Sequence, residues 1–217
     1  MKLARRAPVA APIAVWGALL ALALSPGCDR VLMPASHPVY AAWEEGLTLG
    51  YEDPSLEPGL RVQKRQQVRV KESRPLGAAL AVTKTFTSLT GQFDAQVLQK
   101  DGGVALQPGG LTLLPEGFPE RVPRWEARGS FHWVVGRASA QLPGVRLPDP
   151  DAVGIWVESI AMDGSGGRTR TFYLPDIGEA ETLTWIQGRW VVTNRLSSRG
   201  FTDVPGPAAG SPSGSTS

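Results

Sequence analysis

Histidine and cysteine are scarce in this chain, whose 217 residues include two histidines and one cysteine. A nucleophile–base pair or a metal site usually needs at least one well-placed imidazole or thiol. His37 lies beside Pro38 in a segment without periodicity, and His132 lies between Phe131 and Trp133 in an aromatic strand. Because successive side chains of a strand point to opposite faces, His132 should face away from both rings, towards solvent or a cross-strand partner. We therefore expect neither a metal site nor a catalytic histidine.

The acidic and glycine-rich stretches add no catalytic pattern. Glu179 and Glu181 share a strand face, but acid–base catalysis needs two carboxyls held in different environments, and a solvated strand edge explains this pair. Asp163 to Gly167 has the composition of a hairpin loop and lacks the following helix that a phosphate-binding loop needs. We expect a protein without catalytic activity and without a cofactor.

One basic cluster stands out in the sequence. Contact with anionic lipid head groups would explain it. A solvated strand face, whose charges keep an edge strand from pairing with another chain, explains it as well, and we favour this second interpretation. The cluster comprises Arg61, Lys64, Arg65, Arg69, Lys71 and Arg74.

The N-terminus has the pattern of a secretory signal peptide, which we place at residues 1–27. Met1 to Arg6 carries three basic residues, and Val9 to Leu24 is apolar and uncharged. Such a run is short for a membrane-spanning helix, although an uncleaved anchor is the alternative. Cleavage would lower Lys plus Arg from 22 to 19 against 20 Asp plus Glu, so the net charge becomes −1. Because that charge attracts no polyanion, we expect no nucleic-acid partner.

Cys28 directly follows this segment and, as the single cysteine, has no partner for an internal disulfide. Gly27-Cys28 resembles the end of the lipobox of bacterial lipoproteins, after which the cysteine is diacylated, although Ser25 stands where a leucine is usual. The resemblance implies that a lipid on Cys28 anchors the protein to a membrane of the bacterial cell envelope, facing the periplasm, with residues 28–40 as a tether. Ordinary cleavage, for example after Ala23, would instead leave a free thiol.

Apolar and polar residues alternate repeatedly along residues 41–202, with breaks at Gly, Pro and Asp. The clearest stretch, Ile155 to Leu196, predicts three consecutive antiparallel strands joined by two tight loops, with a further turn at Gln187-Gly188. Val62 to Lys71 predicts a strand with one solvated face, and Trp125 to Ser139 is a further alternating stretch. About ten strands without a long amphipathic helix predict an all-β single domain, an antiparallel curved sheet or open barrel. The Pro-, Gly- and Ser-rich tail 203–217 should be disordered.

A further set of residues, spread over roughly Leu47 to Leu196, matches a known pattern of motifs. The matching residues are Val135-Gly136-Arg137 and, in a late hairpin, Tyr173, Pro175 and Gly178. They resemble a broad family of bacterial exported proteins and lipoproteins, apart from Asp176, which replaces a glycine of the family's hairpin. The resemblance implies a strongly curved or barrel-like antiparallel fold in the cell envelope, and it implies no activity. Lipoprotein carriers of the envelope, which are lipid-binding half-barrels, offer an analogy at the level of the fold.

A curved sheet must fill its concave face with side chains, a helix or a ligand, and the sequence offers no strong helix candidate. We therefore expect a binding protein that holds a lipid or another apolar ligand on this face. The candidate lining residues are Trp133, Trp156, Trp185 and Trp190. The alternative is an envelope assembly or scaffold protein with a closed core, whose exposed strands pair with a protein partner.

Replacing Cys28 by alanine tests the lipid anchor. Cys28→Ala should move the processed protein from the membrane fraction to the soluble periplasmic fraction, because the acyl chains that hold it are lost. Fractionation of a bacterial host that expresses either chain measures the change. Membrane retention of the variant after removal of its signal peptide would contradict the lipobox interpretation.

Overall fold

The computed structural model describes residues 38–63 and 65–202. The predicted signal peptide, Cys28, His37, Lys64 and the tail 203–217 lie outside the described residues, as does the predicted tether up to residue 37. All described residues belong to one compact unit.

Twelve strands and one short helix form in this described part of the chain. The first six strands are β1 (Leu47–Glu52), β2 (Gln66–Leu76), β3 (Ala79–Ser88), β4 (Gly91–Lys100), β5 (Gly103–Gln107) and β6 (Leu111–Leu114). The last six are β7 (Arg124–Ala127), β8 (Ser130–Ser139), β9 (Val153–Ala161), β10 (Arg168–Leu174), β11 (Gly178–Ile186) and β12 (Arg189–Phe201). The helix α1 (Pro58–Gln63) lies between β1 and β2.

All twelve strands belong to one antiparallel sheet, in which most strands pair with their neighbours in sequence. The exception is β1, which pairs with β12 from Leu47 opposite Phe201 to Glu52 opposite Arg195. The strand order therefore runs from β6 through β1 and β12 to β7, and the sheet is barrel-like and nearly closed. The expected all-β, antiparallel, single-domain fold is confirmed.

Three hairpins share a two-residue turn with positive φ at both positions. The φ angles are 50° and 75° at Asp101-Gly102, 55° and 69° at Arg128-Gly129, and 51° and 81° at Gln187-Gly188. This is the type I′ conformation, whose twist matches that of the flanking strands. At Gly102 a Cβ atom would lie 2.4 Å from the carbonyl oxygen of Phe118, so the position cannot accept a side chain without a shift of the backbone.

The predicted strand from Val62 to Lys71 is wrong at its beginning, because α1 occupies residues 58–63 and β2 begins only at Gln66. Pro58 suits the first position of a helix, where its missing N–H costs nothing. The Arg61 guanidinium also donates from Nη2 to the carbonyl oxygen of Pro54, at 2.7 Å, and so links the helix to the preceding turn.

Two other predicted stretches hold one more strand than expected. Residues 155–196 form four strands rather than three, and the predicted turn at Gln187-Gly188 separates β11 from β12. Residues 125–139 are divided between β7 and β8 by Arg128-Gly129. In both turns the residue before the glycine adopts positive φ although Gln and Arg are not typical of that conformation.

The antiparallel connections alternate between two ends of the sheet. We call one end the open end; its connections are residues 53–65, 89–90, 108–110, 128–129, 162–167 and 187–188. We call the other the closed end; its connections are residues 77–78, 101–102, 115–123, 140–152 and 175–177.

The N-terminal described segment covers the closed end. Tyr40, Ala41 and Ala42 are buried, and the Asp176 amide donates a hydrogen bond of 2.7 Å to the carbonyl oxygen of Val39. Gly178 makes room for this segment, because a Cβ atom there would lie 3.2 Å from the Cα of Ala41. Tyr40, which the sequence analysis assigned to the tether, is only 3% exposed and packs into the domain.

Phe118 fills the interior beside this segment. Its ring is 1% exposed and lies 5.2 Å from the ring of Tyr40, 5.5 Å from Trp125 and 6.1 Å from Tyr173, each in edge-to-face geometry. Edge-to-face pairs are favourable because the positive edge of one ring meets the negative face of the other. The connection 115–123 therefore belongs to the hydrophobic core of the closed end.

Truncation of Phe118 tests this packing. Phe118→Ala should lower the free energy of unfolding by about 3–5 kcal/mol, because it leaves a cavity among three aromatic rings. Urea denaturation followed by circular dichroism measures the loss. Phe93→Ala is the matched control, since Phe93 is 62% exposed, and it should cost about 1 kcal/mol or less. Equal effects of the two substitutions would contradict the packing of residues 115–123 into the core.

Candidate functional site

A cavity of about 330 Å³ lies inside the sheet. Most of its wall is apolar, which is typical of small-molecule sites with a few placed polar groups. The apolar lining residues are Ala41, Ala42, Leu49, Val68, Phe86, Val97, Val104, Leu106, Leu113, Leu114, Ala127, Ile177 and Gly178. The polar and charged ones are Tyr40, Tyr51, Gln66, Lys84, Arg128, His132, Tyr173, Glu179 and Asn194.

The cavity opens at the open end of the sheet. Gln66 at the start of β2 and Arg128 in the β7–β8 turn are lining residues that are exposed to solvent. At the closed end the wall is formed by Tyr40, Ala41 and Ala42, which are buried. A molecule can therefore enter between the hairpins of the open end, whereas the chain's own residues block the other side.

Lys84 is the unusual member of the wall. It lies in the middle of β3, directly opposite Val70 on β2 and Ala95 on β4, with Val82 and Phe86 on the same face of its own strand. The residue is only 7% exposed, and this burial lowers the pKa of its ammonium group from 10.5 to about 8. Among the described residues, none accepts a hydrogen bond from this ammonium group or forms an ion pair with it.

Glu179, by contrast, receives hydrogen bonds from the protein on one of its two carboxylate oxygens. Its Oε1 accepts from Thr182 Oγ1 at 2.7 Å and from Asn194 Nδ2 at 3.2 Å. The Tyr51 hydroxyl donates to the Glu179 carbonyl oxygen at 3.0 Å. Burial, and secondarily the charge of Glu179, raise the pKa of Tyr51 and of Tyr173, so both phenols stay neutral across the physiological range.

His132 has two hydrogen-bond partners that fix its tautomer. A carbonyl oxygen can only accept, so Nε2 carries the proton that is donated to Ala127 O at 3.0 Å. Nδ1 then accepts from Ser159 Oγ at 2.6 Å. Burial lowers the pKa of His132, and the ring stacks on Trp125 at 5.0 Å. The prediction that His132 faces away from Phe131 and Trp133 and meets a cross-strand partner is thus confirmed.

The ring of His132 does not form a catalytic arrangement with these neighbours. No carboxylate of the described residues hydrogen-bonds to it, and Ser159 does not line the cavity. In the same part of the chain, no group of three His, Cys, Asp or Glu side chains is placed to hold a metal ion.

The four tryptophans predicted as lining residues lie outside the cavity wall. Trp133 follows the lining residue His132 and therefore points to the opposite face of β8. Trp156 stacks on Phe172 at 4.8 Å. Trp185 and Trp190 pair across β11 and β12, at 5.1 Å. The expectation that the concave face carries these rings is thus not met, because strand parity defines two faces without saying which one is concave.

On the outer face, two of these tryptophans take part in a network with charged side chains. The Arg170 guanidinium lies 4.5 Å from the ring centre of Trp190, and Arg168 lies 5.5 Å from the same ring. Both arginines form ion pairs with Glu158, whose side chain is 2% exposed. Cation–π contacts and a buried carboxylate with two guanidinium partners give these aromatic rings a structural role.

Three described residues of the predicted basic cluster have partners within the protein. Arg61 bonds to the turn that precedes α1, Arg65 lies 4.0 Å from Glu52, and Lys71 forms an ion pair of 2.6 Å with Asp94. These pairs fit a solvated strand face, but the predicted role in protecting an edge strand is wrong, because β2 pairs with both β1 and β3.

Exposed apolar side chains concentrate at the open end, around the mouth of the cavity. They stand at or near the tips of its hairpins, where a soluble domain usually carries polar residues. They are Leu60, Leu89, Phe93, Leu111, Ile160, Met162, Trp185 and Ile186.

Lys84 is the residue that the sequence analysis missed, although the sequence holds a signal for it. One face of β3 carries Leu80, Val82, Lys84 and Phe86, which alternate with threonines and alanine. A lysine therefore occupies a position where the period-2 pattern predicts an apolar residue.

Comparison with known proteins adds little to this description. No family model matches the chain, and no curated protein matches it. It is similar to the structure of a candidate lipoprotein from Parabacteroides distasonis, with 11% identity and a TM-score of 0.43, over 75% of this chain and 99% of that one. It is also similar to a candidate exported protein with YmcC-like fold from Bacteroides fragilis, with 12% identity and a TM-score of 0.43, over 76% and 100%. Neither similarity is high enough to assign a function.

Within residues 38–63 and 65–202, no helix has the length and hydropathy needed to cross a membrane.

The burial of Lys84 predicts a rise in stability with pH. The folded protein releases the lysine's proton near pH 8, whereas the unfolded chain holds it to about 10.5, so the unfolded state binds more protons in between. The free energy of unfolding should therefore increase by about 2 kcal/mol between about pH 7 and pH 9.5. Tyr51, Tyr173 and His132, which also line the cavity, keep their charge over this range.

Two variants isolate the effect in urea denaturation at each pH. Lys84→Met should abolish the rise, because it removes the group that titrates. Lys100→Met should keep it, since Lys100 is exposed and pairs with Glu116 on the surface. A rise that persists unchanged in Lys84→Met would show that another group causes it.

Proposed function

We propose that the protein is a non-catalytic lipoprotein of the bacterial cell envelope that binds a lipid or another apolar ligand in the cavity of its sheet. The observation that carries this proposal is the cavity itself, which is mostly apolar, about 330 Å³ in volume and open at one end. Binding sites for small molecules have volumes of roughly 300–1,000 Å³ and a predominantly apolar lining. This cavity lies at the lower end of that range, which suits one small apolar molecule.

The way in which the interior is filled supports the same proposal. Apolar side chains and the segment around Tyr40 fill the closed end, so the protein packs this part of its interior with its own residues. No comparable described segment covers the lining residues Gln66 and Arg128 at the open end. An apolar ligand in the remaining space would remove from water the apolar surface that now faces the cavity.

The predicted anchor would hold such a site near its ligands. A lipid on Cys28 would keep the domain close to a membrane of the envelope, on the periplasmic side, where lipids are concentrated. Val39 bonds to Asp176 at the closed end, so the tether would join the domain there and leave the open end accessible.

A second candidate function, assembly or scaffolding through a protein partner, is supported by the exposed apolar residues around the open end. Phe93, Met162 and Ile186 stand on three different hairpins of that end, and exposed apolar patches often mark contact sites. Strand addition has less support, because the edge strands β6 and β7 have only four residues each.

A neutral apolar dye, N-phenyl-1-naphthylamine, tests the first candidate. The full chain should increase the dye's fluorescence, and dodecan-1-ol should displace the dye. Ala127→Trp should weaken dye binding by about tenfold or more, because the new ring occupies the mouth of the cavity. Ala105→Trp is the matched control, since Ala105 lies between the lining residues Val104 and Leu106 and so points to the outer face.

Two results would contradict ligand binding in the cavity. The first is a wild-type chain that neither binds the dye nor releases it to dodecan-1-ol. The second is equal binding by Ala127→Trp and Ala105→Trp, which would move the dye to an outer surface and favour the second candidate.

A further inference from the structure

We propose that the ligand of this cavity is an amphiphile with one carboxylate, and that its carboxylate pairs with the ammonium group of Lys84. This inference rests on the proposed function, since it names the class of ligand that the same cavity takes.

Burial of the Lys84 charge is costly. An ammonium group without a partner in apolar surroundings is strongly unfavourable. Lys84 nevertheless lies opposite Val70 and Ala95 and beside Val82 and Phe86, and it is 7% exposed. A leucine or methionine would fill this position at lower cost. A lysine is advantageous here if an anion of the ligand compensates its charge.

The described residues of the protein supply no such anion. Glu179 is the carboxylate of the cavity wall, but its Oε1 already accepts from Thr182 and Asn194. Glu179 also lies at the start of β11, on the other half of the sheet, and forms no ion pair with Lys84. The two charged groups are therefore not partners, and only the lysine lacks a hydrogen-bond acceptor.

The charge of Lys84 and the apolar wall define the form of the ligand. One ammonium group compensates one negative charge, which a carboxylate provides and a doubly charged phosphate monoester exceeds. The wall is apolar towards the closed end, at Val97, Val104 and Leu114, and towards the open end at Phe86 and Leu106. An aliphatic chain attached to the carboxylate thus meets apolar residues in either direction.

The lowered pKa of Lys84, about 8, supports this assignment and gives it a pH dependence. A bound carboxylate stabilises the protonated lysine, so carboxylate affinity should fall as pH rises above 8. Tyr51, Tyr173 and His132 remain neutral from about pH 7 to pH 9.5 because of their shifted pKa values. Glu179 and Arg128 are the other charged groups that line the cavity.

The experiment compares radiolabelled dodecanoate with dodecan-1-ol, which has the same chain length and no charge, by equilibrium dialysis against the full chain. At about pH 7 the wild type should bind dodecanoate about tenfold or more tightly than dodecan-1-ol. Lys84→Met should remove this preference by weakening dodecanoate alone, and Lys84→Arg should retain it. Lys100→Met, which removes an exposed lysine, should behave as the wild type does.

A measurement on the wild type alone keeps the test independent of the folding of the variants. Between about pH 7 and pH 9.5, dodecanoate affinity should fall by about tenfold or more, while dodecan-1-ol affinity stays constant. Equal affinities for the two ligands, or a preference that survives in Lys84→Met, would overturn the role of Lys84 and leave ligand binding in the cavity intact. Failure of the wild type to bind either ligand would overturn the proposed function and this inference together.

Discussion

The pairing of β1 with β12 is the interaction on which the rest of the structure depends. It joins strands at opposite ends of the domain's sequence, from Leu47 opposite Phe201 to Glu52 opposite Arg195. Without this pairing, β1–β6 and β7–β12 would be two separate sheets with two more edges. With it, twelve strands curve into one nearly closed sheet, which encloses a space that must be filled or left accessible.

The two ends of this space differ in how far side chains fill them. At the closed end, Phe118 packs against Tyr40, Trp125 and Tyr173, so the chain fills its own interior with aromatic rings. Towards the open end the interior keeps a cavity whose wall includes a buried lysine. A uniformly packed core would be more stable than a core with a charged group in its wall. This difference between the ends is the reason for our proposal that the domain binds a ligand.

Much of the fold was predictable from the sequence, and less of the site. Alternation bounded by turn residues predicted the antiparallel strands within residues 155–196, because strand period and turn chemistry are local properties. The β7–β8 turn at Arg128-Gly129 was missed because arginine rarely adopts positive φ. The tryptophans were assigned to the concave face because pleating separates two faces, while the direction of curvature depends on the pairing of all strands. The same parity argument could have identified Lys84, because this residue interrupts an apolar strand face. The absence of an ion pair between Lys84 and Glu179, however, depends on tertiary structure.

The central claim, that the sheet holds a ligand in its interior, is tested most directly by native mass spectrometry of the protein purified gently from its host's envelope. Our account predicts a reproducible additional mass, of the size of one small lipid, that disappears on denaturation and is absent from Ala127→Trp. A bare chain mass in the wild type, under conditions that keep the domain folded, would contradict it. The interior would then be an unfilled space of a scaffold domain, and the exposed residues around the open end would become the site to investigate.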